Sequence, residues 1–248
     1  MSVVQALHWQ NALALSQGDG RRLEQTLAFP EAMDTLLLQG VEVLQRAREL
    51  LLMAQNGTLS SEQQATLAEE MEGLRQELLQ IANTRLGGRF LFAGASIFTQ
   101  PFNEGGTYQG SDEVAQWEAS PFVALPLALP GRWVFQGEED LFGAMGEAQQ
   151  ALRRGDASAL PSLLSRLDRG MAHLLKVEAR LGAQIRQGER LREGLAQEAT
   201  TLQGRLSVLG DADLAEEATT WRLKEVALQA TLLATARLLP HTLVEVMA

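Results

Sequence analysis

Apolar side chains recur along the chain in steps of three and four. Leu67, Met71, Leu74, Leu78 and Ile81 keep this alternation from Ser60 onward, which predicts a long amphipathic helix carrying a coiled-coil seam. Ser60, with Gln63 three residues on, has the spacing of a capping box, and Gly87-Gly88 offers backbone freedom for a stop. Upstream, Leu37, Val41, Leu44, Arg48 and Leu51 hold the same rhythm up to the turn dipeptide Asn56-Gly57. The two stretches are therefore expected to fold back on each other as a hairpin. Gly18-Asp19-Gly20 and Pro30 interrupt the pattern, so residues 3–29 read as shorter, less regular helical pieces.

A second long helix is predicted from Pro161, a residue favoured in a first turn. Its seam runs through Leu167, Met171, Leu174, Glu178, Leu181, Ile185, Gly188, Arg192, Leu195, Ala199, Leu202, Leu206 and Leu209. Gly188 and Arg192 are expected to mark a weak or solvent-reaching layer. Between the helical blocks the character changes. Arg89–Gly94, Thr107-Tyr108, Val114–Trp117 and Arg132–Phe135 are short aromatic or β-branched runs among Gly and Pro clusters, and predict a small β-rich insertion. In the last block Asp211, Asp213, Glu216 and Glu217 crowd the first turns, where carboxylates complement the helix dipole. Leu214, Ala218, Trp221, Leu228, Leu232 and Leu239 form a stripe there, which Val226, Leu233 and Leu238 widen beyond one seam. The expected fold is mainly α: an elongated antiparallel helical bundle or coiled-coil rod with a small β-rich insertion. Its parts are a helical hairpin (1–87), the insertion (88–137), returning rod helices (138–209) and a C-terminal helix (210–248).

Composition narrows what such a chain can do. With 46% apolar and 21% charged residues in 248, it can bury a core and should fold. Its formal charge of −10, with basic residues dispersed among acids, argues against a phosphate-backbone partner. No stretch is long and apolar enough for a membrane span, and Met1–Trp9 has neither the basic opening nor the clean apolar core of a cleavable signal peptide. There is no cysteine, hence no disulfide, thiolate metal site or cysteine nucleophile. His8, His173 and His241 lie far apart without ligand spacing and are expected at the surface or in interfaces. The two lysines, Lys176 and Lys224, sit in no phosphate-binding loop, and no nucleophile elbow occurs. The acidic pairs Glu69-Glu70, Glu138-Glu139 and Asp211-x-Asp213 read as solvated faces or caps. Asn56-Gly57-Thr58 has the form of a glycosylation acceptor but sits where a helix-hairpin turn is expected. A hydrolase built on Asp112, Glu113 and Glu118 would need a pocket that a small exposed insertion rarely provides. The reading is therefore of an assembly component, not an enzyme, without cofactor or metal.

The segment Ala54-Gln55-Asn56-Gly57-Thr58-Leu59-Ser60 is followed by Leu74–Leu78, Ile81-Ala82-Asn83-Thr84, Gly88-Arg89-Phe90-Leu91-Phe92-Ala93-Gly94 and Pro101-Phe102. In this order it resembles the flagellin family, in which such a run marks the exit from a helical hairpin into a β region. The motif positions are Asn83, Gly88, Phe90, Phe92, Ala93, Gly94, Pro101 and Phe102. Ala179–Ala183, Asp211–Glu216 and Ala227–Ala230 look like the family's returning helix and C-terminal polymerisation helix. The resemblance spans residues 35–248. It implies a structural subunit of the bacterial flagellum at the hook–filament junction, exported without signal cleavage through the flagellar type III apparatus. The alternatives are a filament flagellin, or a truncated helical protein that stays in the cytoplasm and binds an export chaperone. Implied partners are further copies, other axial proteins such as hook-associated protein and flagellin, and the chaperone; nucleic acid and membrane are not among them. The family's N-terminal helix has no counterpart before Met1, so the C-terminal helix is expected to lack that partner. Leu214, Trp221, Val226, Leu228, Leu232, Leu233 and Leu239 are then the expected contact residues.

Overall fold

The structure is a computed structural model that describes residues 3–56, 59–120 and 123–246, with side chains described outside residues 3, 56, 120, 210–217 and 236–246. The Gly57-Thr58 part of the expected hairpin turn lies outside the described residues. The chain forms two compact units, Asp19–Gly194 on the one hand and Met1–Gly18 with Leu195–Ala248 on the other.

The first helix, α1 (Val3–Asn56), is continuous, which corrects the expectation of short pieces over residues 3–29. Pro30 lies inside it. An interior proline costs about 3 kcal/mol through its missing N–H and its clash with the preceding turn. Against this stands an uninterrupted buried stripe: Leu23, Leu27, Met33, Leu37, Val41 and Leu44, with Pro30 itself buried in line. Each such side chain contributes roughly 1.5–3 kcal/mol when fully buried, so tertiary packing outweighs the local penalty.

Helix α2 (Ser61–Ala82) opens with the predicted capping box: the Ser60 hydroxyl accepts from the Gln63 N–H, and the Ser60 N–H donates to the Gln63 side chain. It stops earlier than expected, at Asn83. Gly87 (φ 58°) and Gly88 (φ 80°) instead form the turn of a small antiparallel hairpin between β1 (Arg85–Leu86) and β2 (Arg89–Phe90). Two successive positive φ values suit a two-residue hairpin as well as a helix stop, which is why the glycines alone did not distinguish them.

Strands β3 (Ala115–Ser120) and β4 (Val123–Ala128) pair antiparallel, with Trp117 opposite Leu125. Arg132–Phe135, expected as strand, lies within the short helix α3 (Gly131–Phe135). Val134 and Phe135 are both fully buried. Neighbouring side chains alternate across a strand, whereas a helical turn can bring both to one core. Between β2 and the next elements, Leu91, Phe92, Ala93 and Gly94 are all buried, and they hydrogen-bond with the segment 129–131 through Leu129 N–H to Leu91 O (2.9 Å), Gly94 N–H to Leu129 O (3.0 Å) and Gly131 N–H to Phe92 O (2.8 Å).

Helix α4 (Leu141–Arg154) packs on α2 through an apolar face that includes Leu141, Met145, Ala148 and Leu152, and ends on the left-handed Gly155. Helix α5 (Leu160–Val246) begins with Pro161 in its first turn. Leu167, Leu174 and Leu181 are buried in the same core cluster as Leu37, Leu44, Met71 and Leu78. Gly40 of α1 sits where α2 and α5 meet, within 3.4 Å of Leu78 and 3.5 Å of Leu174 measured from a hypothetical Cβ. Gly188 is also buried, contrary to the solvent-reaching layer expected there: a Cβ at this position would lie 2.7 Å from Leu27 and 3.2 Å from Leu125. The missing side chain makes room for α1 and β4 together. Arg192 is exposed. In the other unit Leu202 is buried, the Ser16 hydroxyl donates to the Leu195 carbonyl (3.0 Å), and Arg205 stacks over Trp9.

Of the Glu138-Glu139 pair, Glu138 is exposed as expected, but Glu139 is not a solvated face. The Glu139 carboxylate, 15% exposed, receives Arg166 (3.0 Å) and Arg169, while Glu138 pairs with Lys176. The hydrogen bond from Arg169, followed by that from Arg166, holds the Glu139 carboxyl below the usual glutamate range. A depressed folded-state value stabilises the fold above the unfolded value, and the contribution is lost as pH falls through the folded one. Glu139→Gln should therefore lower Tm at pH 7 relative to wild type, and the gap should close on acidification below the usual glutamate value, about 4.3. A gap in Tm that is independent of pH would contradict the pairing.

Candidate assembly surface

The family-like motif forms the passage from α2 into the insertion. Asn83 caps the helix, and its side chain reaches nineteen residues along the chain to grip the Phe102 backbone on both sides. Its Oδ1 accepts from the Phe102 N–H (2.9 Å), and its Nδ2 donates to the Phe102 carbonyl (3.0 Å). Phe102 follows the buried Pro101 and is itself fully buried against Tyr108, Phe135 and Phe142, at ring-centroid distances of 5.2, 5.8 and 4.9 Å. Phe92 joins edge-on to Phe135 at 5.1 Å. Such geometry favours aromatic pairs by roughly 0.5–1.5 kcal/mol each beyond burial. Gly94 has φ 60°, and a Cβ there would meet the Ser111 carbonyl oxygen at 2.1 Å. Ala93 is fully buried, Phe90 lies under the Arg85 guanidinium at 4.0 Å, and Gly88 is in the hairpin turn. Burial pushes the Tyr108 phenol up to about 12, so its hydroxyl donates steadily to the Ser111 carbonyl. From sequence alone Tyr108 and Phe135 stand out only as members of strand-like runs, and Phe142 does not stand out. The available signal was the concentration of aromatics between Phe90 and Phe142 in a chain with few.

The other candidate residues lie in α5. From Ala218 to Thr235 every residue is exposed. Trp221, Leu223, Val226, Leu228, Leu232 and Leu233 are between 61% and 74% accessible. Trp221, Leu228 and Leu232, at steps of seven and four, share one face. Leu223, Val226 and Leu233 occupy another, since 100° per residue carries them well round the helix. Leu214 and Leu239, named with them from the sequence, lie outside the described residues, as do the side chains of Asp211, Asp213, Glu216 and Glu217.

The remaining candidates are dispersed. Asp112, Glu113 and Glu118 are exposed, and Asp112 pairs with Arg132 at 3.0 Å. No group of metal-ligating side chains occurs among the described residues, and no described helix is long and apolar enough to cross a membrane. His8 is exposed, and His241 lies outside the described residues. His173 is buried, not superficial: its Nε2 is 2.7 Å from the Trp133 carbonyl, which draws the imidazole under α3.

A helical hairpin that ends on an asparagine clasp is followed by an aromatic-cored excursion and a long helix that exposes large apolar side chains. Residues 29–96 match the bacterial flagellin N-terminal helical region. The chain is 29% identical to flagellar hook-associated protein 3 of Escherichia coli K12, an alignment that covers 89% of this chain and 80% of the relative. It is 26% identical to flagellar hook-associated protein 3 of Salmonella typhimurium LT2 with the same coverage. The fold is shared with Bacillus cereus FlgL (TM-score 0.68, 20% identity, 80% of this chain and 97% of that one). It is shared too with a flagellar hook-associated protein from Vibrio parahaemolyticus (TM-score 0.71, 16% identity, 82% and 95%).

Asn83→Ala removes both clasp hydrogen bonds and leaves the buried Phe102 N–H unpaired. This should cost about 2–3 kcal/mol in urea denaturation. Asn83→Asp keeps the acceptor and should fall between the alanine variant and wild type. A neutral Asn83→Ala would mean that the clasp holds nothing.

Proposed function

We propose that this chain is a structural subunit of the bacterial flagellum at the hook–filament junction, and that it assembles with other axial subunits through the C-terminal part of α5. The observation that carries this reading is the run of exposed large apolar side chains from Trp221 to Leu233. Six such residues at roughly 1.5–3 kcal/mol each give a gross driving force on the order of 10 kcal/mol for association, reduced by ordering costs. The match of residues 29–96 to the bacterial flagellin N-terminal helical region and the names of the similar proteins support the axial location. Leu214 and Leu239 extend the same surface in this proposal. Before assembly the surface needs cover, which a flagellar export chaperone with an apolar groove supplies, and export proceeds by the signal-less type III route. The chain works through its surface and catalyses nothing.

Leu228→Asp with Leu232→Asp should abolish self-association in analytical ultracentrifugation and leave the Asp19–Gly194 unit folded by circular dichroism. Both positions are exposed, so the substitutions disturb no core. A wild-type chain that remains monomeric at high concentration, unchanged by the substitutions, would contradict the proposal.

A further inference from the structure

Within the Asp19–Gly194 unit, Phe90, Phe92, Phe102, Phe135 and Phe142 are at most 3% exposed, whereas Phe98 is 76% exposed. A tight turn carries Phe98 at its tip, closed by the Thr99 N–H donating to the Ser96 carbonyl (2.8 Å). The Phe90 N–H donates to the Ile97 carbonyl (2.8 Å) and ties this turn to β2. An aromatic ring held out on backbone fixed in this way loses little freedom when it is covered, and such rings are enriched in protein interfaces. The β1–β2 hairpin brings two cations to the same turn through Phe90. Arg85 lies over the Phe90 ring at 4.0 Å, and Arg89, which precedes Phe90, lies over Phe29 at 5.8 Å. Neither guanidinium is in an ion pair among the described residues. The result is an apolar knob beside positive charge.

The same unit has a surface of opposite character. Between α1 and α2 runs an open groove of about 660 Å³, with Leu36, Val43, Leu74 and Ile81 as its apolar lining and Glu42 and Glu77 along it, one from each helix. Arg46 also lines it but is committed to Glu70 (2.6 Å) and Glu49 (3.0 Å), whereas Glu42 and Glu77 take part in no ion pair among the described residues. The charge left unpaired there is negative. A second groove, lined by Val41, Met171 and Leu175 between α1 and α5, offers no such complement, because its Arg48 and Asp168 pair with each other at 2.7 Å and its Glu49 is taken by Arg46. Phe98 is kept out of the α1–α2 groove of its own chain. Thr84 belongs to the groove lining, its carbonyl is held by the Leu91 N–H (3.1 Å), and the bond from Phe90 to Ile97 fixes the knob next to that point and outside the groove.

We infer that the Phe98 turn of one copy of this chain seats in the α1–α2 groove of a second copy, with Arg85 and Arg89 facing Glu42 and Glu77. The inference rests on the reading above that the chain is an assembling axial subunit, and gives that subunit a further contact on its Asp19–Gly194 unit. Knob and groove are different patches, so each copy offers the one and receives with the other. Such a head-to-tail contact repeats into a ring or a helical filament and does not stop at a pair. Apolar burial supplies its affinity, while opposite charges set its register and partner choice.

The test uses the full chain. In sedimentation, Phe98→Ala should weaken self-association by about tenfold or more, the loss expected of an interface anchor. Glu42→Lys with Glu77→Lys should do the same, as should Arg85→Glu with Arg89→Glu. Mixing the two charge-reversed proteins should restore association, which a variant that had lost its fold would not do. Because the native chain has no cysteine, a Thr99→Cys chain mixed with a Gln39→Cys chain should be joined by a short bismaleimide into a two-chain product that contains one of each. Thr99→Cys chains that link only to one another, or charge-reversed proteins that mixing does not restore, would overturn the inference. Self-association that survives Phe98→Ala and both reversals but is lost in Leu228→Asp with Leu232→Asp would overturn it too, and would leave the assembly surface of α5 standing. A wild type that never associates would overturn both readings.

Discussion

The organisation of the Asp19–Gly194 unit depends on one side-chain amide. Where α2 ends, its last carbonyls and the emerging strand need partners at once, and Asn83 supplies both a helix cap and a surrogate strand neighbour for Phe102. With the Phe102 backbone pinned, its ring becomes the centre on which Phe135 of α3 and Phe142 of α4 converge. Phe142 opens the helix that packs back on α2, so the clasp connects the stop of one helix to the start of its neighbour. Gly94 completes the arrangement by allowing the chain to pass against the Ser111 carbonyl, where any Cβ would collide.

Much of this was legible in the sequence because helices declare themselves by period. The four-three seam through Met71 and Leu78, the capping box at Ser60 and the start of α5 at Pro161 depend on local spacing, and local spacing is what a sequence displays. The failures share a cause. Pro30 follows a rule about one turn of backbone, but Leu23, Leu27, Met33 and Leu37 bury a stripe that crosses it. Gly87-Gly88 satisfies two motifs that need the same dihedral, and only the partner strand decides between them. Arg132–Phe135 has strand-like residues, yet two adjacent side chains had to enter one core. Gly188, Glu139 and His173 each owe their environment to residues distant in sequence: Leu27 and Leu125, Arg166 and Arg169, and Trp133.

The apolar stripe of the last helix raises a different point. From sequence such a stripe is indistinguishable from a core seam, since the seam ending at Leu209 has the same residue types and period. What separates them is cover. Leu167, Leu174 and Leu181 lie in the dense core with α1 and α2, whereas Trp221, Leu228 and Leu232 face solvent at more than 60% accessibility. A helix already formed has met much of its ordering cost, so burial of this surface against another protein returns more of the hydrophobic gain as binding energy than burial of a disordered tail would. That is the physical sense in which a structural subunit stores the capacity to assemble.

The central claim is that residues 218–235 form a surface to be covered by another subunit. Amide hydrogen exchange of the wild-type chain, followed by mass spectrometry from dilute to concentrated solution, tests it most directly. Fast exchange is expected for 218–235 in dilute solution, with protection that rises with concentration, while amides around Leu37, Leu78 and Leu174 stay slow throughout. Strong protection of 218–235 that does not vary with concentration would mean that the helix is covered within its own chain, and would contradict the account.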